Sequence, residues 1–247
     1  MPDTQPPSDI AALRAEIDAL DDALHDLLMR RAAVVARLAA SRAKGAGPAL
    51  RPGREAAILR RLLGRHGGAL PRAALVRIWR ELLAATTTMQ APLPFAACLD
   101  EAGMEVLRAH AGLAAPISRL EDAAAAIAAA GAGAAALAAL PMGRWWRTLD
   151  PNRLHVTARL PFFGPAAAPV FLLSPAAPDP SGEDRTLVRL PEAGAEAALR
   201  AAGLHATSLT RDGDLALAEI DGFLPAGDPR LPAGAAVLGA YAVPLPS

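Results

Sequence analysis

Apolar residues repeat at alternating three- and four-residue steps along the first part of this 247-residue chain. Residues 9–44 contain no Gly and no Pro, so the segment can form one helix, about 50 Å long. The repeat comprises Ile10, Leu13, Ile17, Leu20, Leu24 and Leu27. This spacing predicts a coiled-coil-like seam along one face of the helix.

Arg31 interrupts this seam. It occupies the next apolar position, and Val34 and Leu38 then continue the repeat. A guanidinium on a buried face is costly unless a negative group meets it. Arg31 therefore needs either a carboxylate of the protein or an anionic ligand as its partner.

Two shorter helices follow a Gly- and Pro-rich stop at residues 45–48. The pattern predicts a second helix over 52–65 and a third that Pro71 opens and that ends near residue 90. Pro92 and Pro94 then mark a linker. Because two short helices cannot cover the long seam, an intertwined homodimer is the simplest way to bury it.

From residue 94 onward, short apolar runs alternate with Ala-rich helical stretches. Strands are predicted at 94–100, 114–120, 134–140, 156–160 and 170–174, with helices at 102–111 and 121–130. After a Pro-rich linker at 175–183, the pattern predicts a strand (185–190), a helix (193–202) and three strands (205–210, 215–221 and 236–243). The predicted fold class is α+β multi-domain, with a three-helix region at 1–91, a small α/β lobe at 94–178 and an α+β domain at 183–247.

The formal net charge is zero, so the overall charge does not indicate nucleic-acid binding. Residues 1–90 hold 14 Arg or Lys against 9 Asp or Glu, so an anion site is expected in this part. The single cysteine, Cys98, excludes an internal disulfide and fits a cytoplasmic protein. The start of the chain lacks the pattern of a targeting signal, and the apolar stretch 123–140 is nearly all Ala and Gly, so no membrane span is predicted.

Six polar residues fall in or beside apolar helix faces. Glu55 shares a face with Ile58 and Leu62. Leu75, Trp79 and Leu82 form the apolar stripe of the third helix, which continues with polar residues. The six are Arg14, Arg31, Arg42, Glu55, Thr86 and Gln90.

Each of these residues also has an ordinary structural interpretation. Arg14 and Arg42 share a heptad position flanking the seam and can be solvated there. Glu55 can favour the start of its helix through the macrodipole, and Thr86 and Gln90 can be satisfied at a helix end. Together, however, cations, a carboxylate and two neutral donors on faces that should be dry favour a binding site.

Residues 10–90 resemble the all-helical chorismate mutase domain, the type that is also fused to prephenate dehydratase. The segments that carry the resemblance are 13–21 (LRAEIDALD), 27–31 (LLMRR), 54–55 (RE) and 86–90 (TTTMQ). The resemblance implies an interlocked homodimer with shared active sites, each completed by an arginine from the partner. It implies conversion of chorismate to prephenate in aromatic amino-acid biosynthesis.

The resemblance also implies a role for each candidate residue. Arg14 of the partner and Arg31 resemble the arginines that clamp the carboxylates of chorismate. Glu55 resembles the acid that holds the ring hydroxyl. Thr86 stands where a small hydroxyl residue contacts a carboxylate, and Gln90 where a glutamine hydrogen-bonds the ether oxygen.

Two positions depart from the family pattern. Arg42 stands in place of the lysine at the ether oxygen, which keeps the cation but changes its geometry. Lys44 is the alternative if the helix unwinds early. Arg51 replaces the Asp of the usual Asp-Pro-x-Arg-Glu, which leaves its backbone N–H to bind the hydroxyl. The catalytic set is therefore predicted to be Arg31, Arg42 and Gln90.

The implied chemistry is an intramolecular rearrangement that needs no nucleophile, cofactor or metal. The protein must hold a dianion in its reactive conformer and stabilise charge on the ether oxygen. Bidentate Arg–carboxylate pairs suit the first task. Donors such as Arg42 and Gln90 suit the second.

The second half resembles one lobe of a prephenate dehydratase followed by an ACT-like domain. The dehydratase Thr-Arg-Phe motif is absent, and 168–171 reads APVF instead. The Glu-Ser-Arg-Pro motif of phenylalanine-binding ACT domains is replaced by LTRD at 209–212. We expect a remnant without dehydratase activity. The alternatives are a non-catalytic dimeric regulator that binds an anionic metabolite, a bifunctional mutase/dehydratase, and a purely structural dimerisation module.

Overall fold

The computed structural model describes residues 9–42, 49–133, 135–165, 168–191 and 195–246. The chain divides into two compact units, Met1–Gly47 and Pro48–Ser247. Lys44 and the predicted stop at 45–48 lie outside the described residues. No helix in the described ranges is long and apolar enough to cross a membrane.

The described part of the first unit is one 34-residue helix, α1 (Asp9–Arg42). The apolar seam that the sequence predicts lies on its surface, with each side chain 45–58% exposed. These residues are Ile10, Leu13, Ile17, Leu20, Leu24, Leu27, Val34 and Leu38. Exposed apolar rows of this length are rare on proteins that function as single chains.

The second unit begins with helices α2 (Pro52–Gly64) and α3 (Arg72–Thr88). Glu55 is buried on α2, as its position beside an apolar stripe predicts. The fully buried apolar residues of α2 are Ala56, Leu59 and Leu63, so the predicted stripe of Ile58 and Leu62 is wrong by one position. The shift follows from packing, because α2 contacts strands of the unit's sheet.

The predicted stripe of α3 is corrected in the same way. Leu75, Trp79 and Leu82 are half-buried. The fully buried residues are Val76, Arg80, Leu83, Ala84, Thr86 and Thr87. This face packs against α4 (Glu101–Ala111), so the residues that point toward α4 are the most enclosed.

The rest of the unit is an α/β arrangement, in agreement with the predicted fold class. Two further helices are α5 (Ala123–Gly131) and α6 (Ala195–Ala201). The strands are β1 (Phe95–Ala97), β2 (Ile117–Arg119), β3 (Leu137–Pro141), β4 (His155–Leu160), β5 (Val170–Ser174), β6 (Asp184–Pro191), β7 (Ala206–Asp212), β8 (Leu215–Asp221) and β9 (Ala236–Ala242).

Within the described ranges these strands form one mixed sheet in the order β2-β1-β3-β5-β4-β9-β6-β8-β7. The β2-β1-β3 edge is parallel, and β3-β5-β4 is antiparallel. The β9-β6-β8-β7 half is antiparallel throughout. The predicted regions 94–178 and 183–247 therefore contribute to the same sheet.

Alternating side chains of the strands build a core on each side of the sheet. Ala96, Leu140 and Phe171 face α5, whereas Phe95 and Leu172 face α4. The first of these clusters continues into the other half of the sheet. Trp145 and Trp146 belong to it, which assigns the tryptophan pair to the core.

β4 and β9 join the two halves of the sheet, and they do so at a glycine. Val156 pairs in parallel with Gly239. A Cβ at position 239 would lie 2.1 Å from the Val156 carbonyl oxygen, and the φ angle there is +143°. Both the close approach and the backbone conformation require glycine.

Candidate functional site around Glu55

The start of α2 places Glu55 on the buried side of the helix. Pro52 occupies the first helical position, where its fixed φ is favourable and its missing N–H costs nothing. The Glu55 N–H bonds the Arg51 carbonyl at 3.0 Å, closing the first turn. The side chain of Glu55 is therefore held one turn into the helix and away from solvent.

Glu55 forms a buried ion pair with Arg80 of α3. Nη1 of Arg80 donates to Oε2 of Glu55 at 2.7 Å, and each side chain is 10% exposed. The Thr87 hydroxyl lies 3.4 Å from Oε1, the other carboxylate oxygen. Each carboxylate oxygen has two acceptor positions, so Oε1 retains capacity for a further donor.

Arg80 also connects α3 to α4. Its Nη2 donates to the His110 carbonyl oxygen at 3.1 Å. Burial, with a smaller contribution from the Arg80 charge, holds the pKa of His110 well below its usual value of 6.5. Glu55, Arg80 and His110 line a cavity of about 20 Å³, which has room for about one water molecule.

Thr86 and Gln90 lie at the end of α3. The Thr86 hydroxyl is buried and donates to the Leu82 carbonyl at 2.7 Å. Nε2 of Gln90 donates to the Thr86 carbonyl at 2.9 Å. The structure thus brings these two predicted residues together, beside Thr87 and its contact with Glu55.

Arg51 is the N-cap of α2, and its side chain makes no capping bond. Its Nε instead lies 3.3 Å from a carboxylate oxygen of Asp179, in the segment between β5 and β6. The same carboxylate accepts hydrogen bonds from the N–H groups of Gly53 and Arg54. Asp179 therefore meets α2 at three points.

The other predicted cations belong to α1, in the first unit. Arg14 is exposed, Arg31 is half-buried and Arg42 is the last helical residue. At 1.5 Å per residue, Arg14 and Arg31 are about 25 Å apart along the axis. A single copy of α1 cannot present both arginines to one small dicarboxylate.

Three residues at this site were not predicted from the sequence: Arg80, Thr87 and Asp179. Arg80 carried a detectable signal, because it lies four residues after Val76 and three before Leu83 on an apolar face. Thr87 is hidden in a run of three threonines. Asp179 lies more than 120 residues from its partners in sequence, and no local pattern connects it to them.

The described residues contain no group of three or more His, Cys, Asp or Glu side chains arranged to hold a metal ion. The polar groups around Glu55 are instead guanidinium, hydroxyl and amide groups. Such groups bind and orient anions and hydroxyls through hydrogen bonds.

Residues 13–91 match the family described as chorismate mutase type II. The match covers about a third of the chain and includes α1, α2 and α3 almost completely. It also includes every candidate site residue that the sequence predicts. The match agrees with the resemblance that the sequence analysis stated for the helical N-terminal region.

No curated protein matches the chain. Similar solved structures include GqqA, described as a novel type of quorum-quenching acylase, at 19% identity and a TM-score of 0.45, covering 60% of this chain and 94% of that one. Prephenate dehydratase from Arthrobacter aurescens, in complex with L-Phe, is 14% identical with a TM-score of 0.44 and coverages of 61% and 90%. The corresponding enzyme from Streptococcus mutans is 14% identical, with a TM-score of 0.44 and coverages of 62% and 99%.

Proposed function

We propose that this protein is a chorismate mutase that converts chorismate to prephenate in aromatic amino-acid biosynthesis. The observation that carries the proposal is the family match over residues 13–91. That segment retains cations at positions 14, 31 and 42, an acid at 55, a hydroxyl at 86 and an amide at 90. These are the group types that bind a dianion and stabilise a developing ether oxyanion.

In the proposed mechanism, Arg31 and the partner's Arg14 bind the two carboxylates and hold the substrate in its folded conformer. Arg42 and Gln90 donate to the ether oxygen as its bond to carbon breaks. Positioning and electrostatics supply the catalysis, and the reaction needs no cofactor.

The remaining residues orient the substrate. Glu55 accepts a hydrogen bond from the ring hydroxyl through Oε1, while Arg80 holds the carboxylate in place through Oε2. Thr86 contacts a carboxylate by exchanging its bond to Leu82 for one to the ligand. The Arg51 backbone N–H adds a donor for the hydroxyl.

We further propose a cytoplasmic homodimer with shared sites. The exposed apolar seam of α1 supports the dimer, since pairing two copies removes it from water. The 25 Å separation of Arg14 and Arg31, about 17 residues at 1.5 Å each, supports a site completed by the second chain. The single cysteine fits a reducing compartment.

For the second half we propose an α/β lobe and an ACT-like domain without dehydratase activity. The absence of a Thr-Arg-Phe sequence at 168–171 supports this. Phenylpyruvate formation from prephenate above the spontaneous rate would contradict it and favour the bifunctional alternative.

One observation favours a second candidate function. Arg80 binds Oε2 of Glu55, and an arginine stands at position 51 in place of the family's acid. Both features suit a dimeric regulator that binds an anionic metabolite without converting it. Chorismate binding in calorimetry without turnover would identify this function.

The direct test is loss of chorismate absorbance with purified full-length protein. We expect Michaelis kinetics that do not change after treatment with a chelator and dialysis. An absence of turnover at millimolar chorismate would contradict the mutase proposal.

The shared site is tested by complementation between inactive variants. Arg14→Ala and Arg31→Ala should each lose about 3 kcal/mol of transition-state stabilisation. Mixing the two variants should restore part of the activity, because a mixed dimer regains one intact site. Inactive mixtures after verified subunit exchange would contradict a site built from two chains.

A further inference from the structure

The first turn of α2 is capped by a residue from the second half of the chain. Asp179 Oδ1 accepts the Gly53 N–H at 3.0 Å, and Oδ2 accepts the Arg54 N–H at 3.1 Å. These are the second and third helical residues, whose N–H groups an N-cap side chain normally satisfies. The actual N-cap, Arg51, has no acceptor to offer them.

The fit between Asp179 and α2 is close at the backbone as well. A Cβ at Gly53 would lie 2.1 Å from the Asp179 carbonyl oxygen, so glycine is required there by space alone. The Asp179 side chain is 17% exposed, and Arg51 Nε at 3.3 Å compensates its charge. The positive end of the helix dipole also favours a carboxylate at this point.

The surrounding segment is fastened by a second arginine of α2. Nη1 of Arg60 donates to the Ser181 hydroxyl at 2.8 Å, and Nη2 donates to the carbonyls of Glu183 at 2.7 Å and Val243 at 2.9 Å. Segment 179–183 and the end of β9 are thus tied to the same helix. Asp179 is consequently held in place and is not a chance surface contact.

We propose that Asp179 is a positioning residue for the mutase site, supplying from the second half of the chain the capping carboxylate that position 51 has lost. It fixes the turn from which Glu55 projects, since the Glu55 N–H closes that turn on Arg51. The inference rests on the proposed mutase function. It also gives the second half a role in the mutase reaction that requires no ligand of its own.

The test first removes the Asp179 carboxylate and then introduces a carboxylate at the N-cap, residue 51. In full-length protein, Asp179→Ala should lower Tm by about 2–4 °C, the usual effect of losing one cap in a chain of this size. It should lower kcat/KM for chorismate about tenfold, because the hydroxyl acceptor loses its fixed placement. Asp179→Asn should have an intermediate effect on both properties, since the amide has one acceptor oxygen for the two N–H groups that the carboxylate binds.

The decisive variant is Arg51→Asp combined with Asp179→Ala. A local Asp at the N-cap should recover both Tm and kcat/KM, whereas Arg51→Asp alone should lower both by placing two carboxylates together. Recovery of Tm without kcat/KM, or an Asp179→Ala variant with normal kcat/KM, would overturn the positioning role. If the wild-type protein does not convert chorismate, both the proposed function and the positioning role fail. The Tm values of the two single variants and the double variant still show whether Asp179 caps α2 in place of residue 51.

Discussion

At the scale of single residues, Glu55 and Arg80 place two opposite charges in the interior of the second unit. Both side chains are 10% exposed, and their charged atoms are 2.7 Å apart. Removing one member leaves an uncompensated charge in the interior. The pair therefore matters to stability independently of any role that Glu55 has in binding.

Replacement of Arg80 separates these two roles. Arg80→Met should destabilise the protein by about 3–5 kcal/mol, because Glu55 is left buried and unpaired. Adding Glu55→Leu should return stability to within about 2 kcal/mol of wild type, the remainder reflecting the lost bond to His110. Urea unfolding measures both values, and chorismate turnover should stay low in the double variant. A double variant as unstable as the single one would show that the pair is not the main interaction of Arg80.

A second residue-scale prediction concerns the cation at the ether oxygen. The sequence spacing puts Arg42 on the heptad line of Arg14, and a helix extended by two residues would turn position 44 about 200° away from that line. Arg42→Ala should reduce kcat strongly, and Lys44→Ala should leave it within a few-fold. The reverse ranking in steady-state kinetics would show that the proposed register of the site is wrong at this position.

Sequence reasoning at this scale recognises unusual residue types but not their partners. Arg31 and Glu55 attract notice because each is charged on an apolar face. Arg80 is also a charged residue on an apolar face. It was not predicted because Leu75, Trp79 and Leu82 already accounted for an apolar stripe on α3. The capping role of Asp179 could not be predicted, because a residue 126 positions away from Gly53 produces no pattern in the sequence near α2.

At the scale of elements, the exposed apolar seam of α1 is the basis of the proposed homodimer. The seam is about half exposed along its length, and burial of each such side chain is worth roughly 1.5–3 kcal/mol at most. The helix itself was predictable, since a long segment without Gly or Pro and with strict apolar spacing has few alternatives. The buried faces of α2 and α3 differ by one position from the predicted stripes. Both helices carry several apolar residues, and tertiary packing determines which of them are buried.

A charge on the seam should disrupt the proposed dimer. Leu24→Glu, near the middle of α1, should shift the protein to monomers and abolish chorismate turnover, because like charges would meet across a dry interface. Ala36→Glu is the matched control, since Ala36 lies on the opposite, exposed side of the same helix. Sedimentation velocity measures the change, and a dimeric Leu24→Glu protein would contradict the proposed seam interface.

At the scale of the whole molecule, the second unit is built on a single sheet, whereas the sequence indicated two separate regions. The Pro-rich segment 175–183 suggested a linker, and it does connect two halves of different connectivity. Its residues nevertheless bind α2, and β9 crosses back to pair with β4. β4 and β9 join through the pair of Val156 and Gly239, and no hydrophobic pattern in the sequence predicts this pairing.

The stability of the folded chain should decrease on mild acidification. Burial lowers the pKa of His110, with Arg80 adding to the effect, and burial lowers that of His155. The unfolded chain therefore binds more protons below about pH 6.5, so stability falls as pH decreases through that value. Tm measured from pH 7 to about pH 5 should decrease, and His110→Gln should flatten the slope in part. An unchanged slope in that variant would assign the effect to His155 or to carboxylates.

The central position of β9 has a consequence for synthesis of the protein. In the described sheet β9 is the last strand to leave the ribosome, yet it lies between β4 and β6. Until it emerges, the nascent chain carries two partial sheets, each with an open edge available for wrong pairing. Ribosome stalling or a frameshift before residue 236 would release chains in this state. Such products should be removed by proteases or held by chaperones, so truncation before residue 236 should reduce protein abundance.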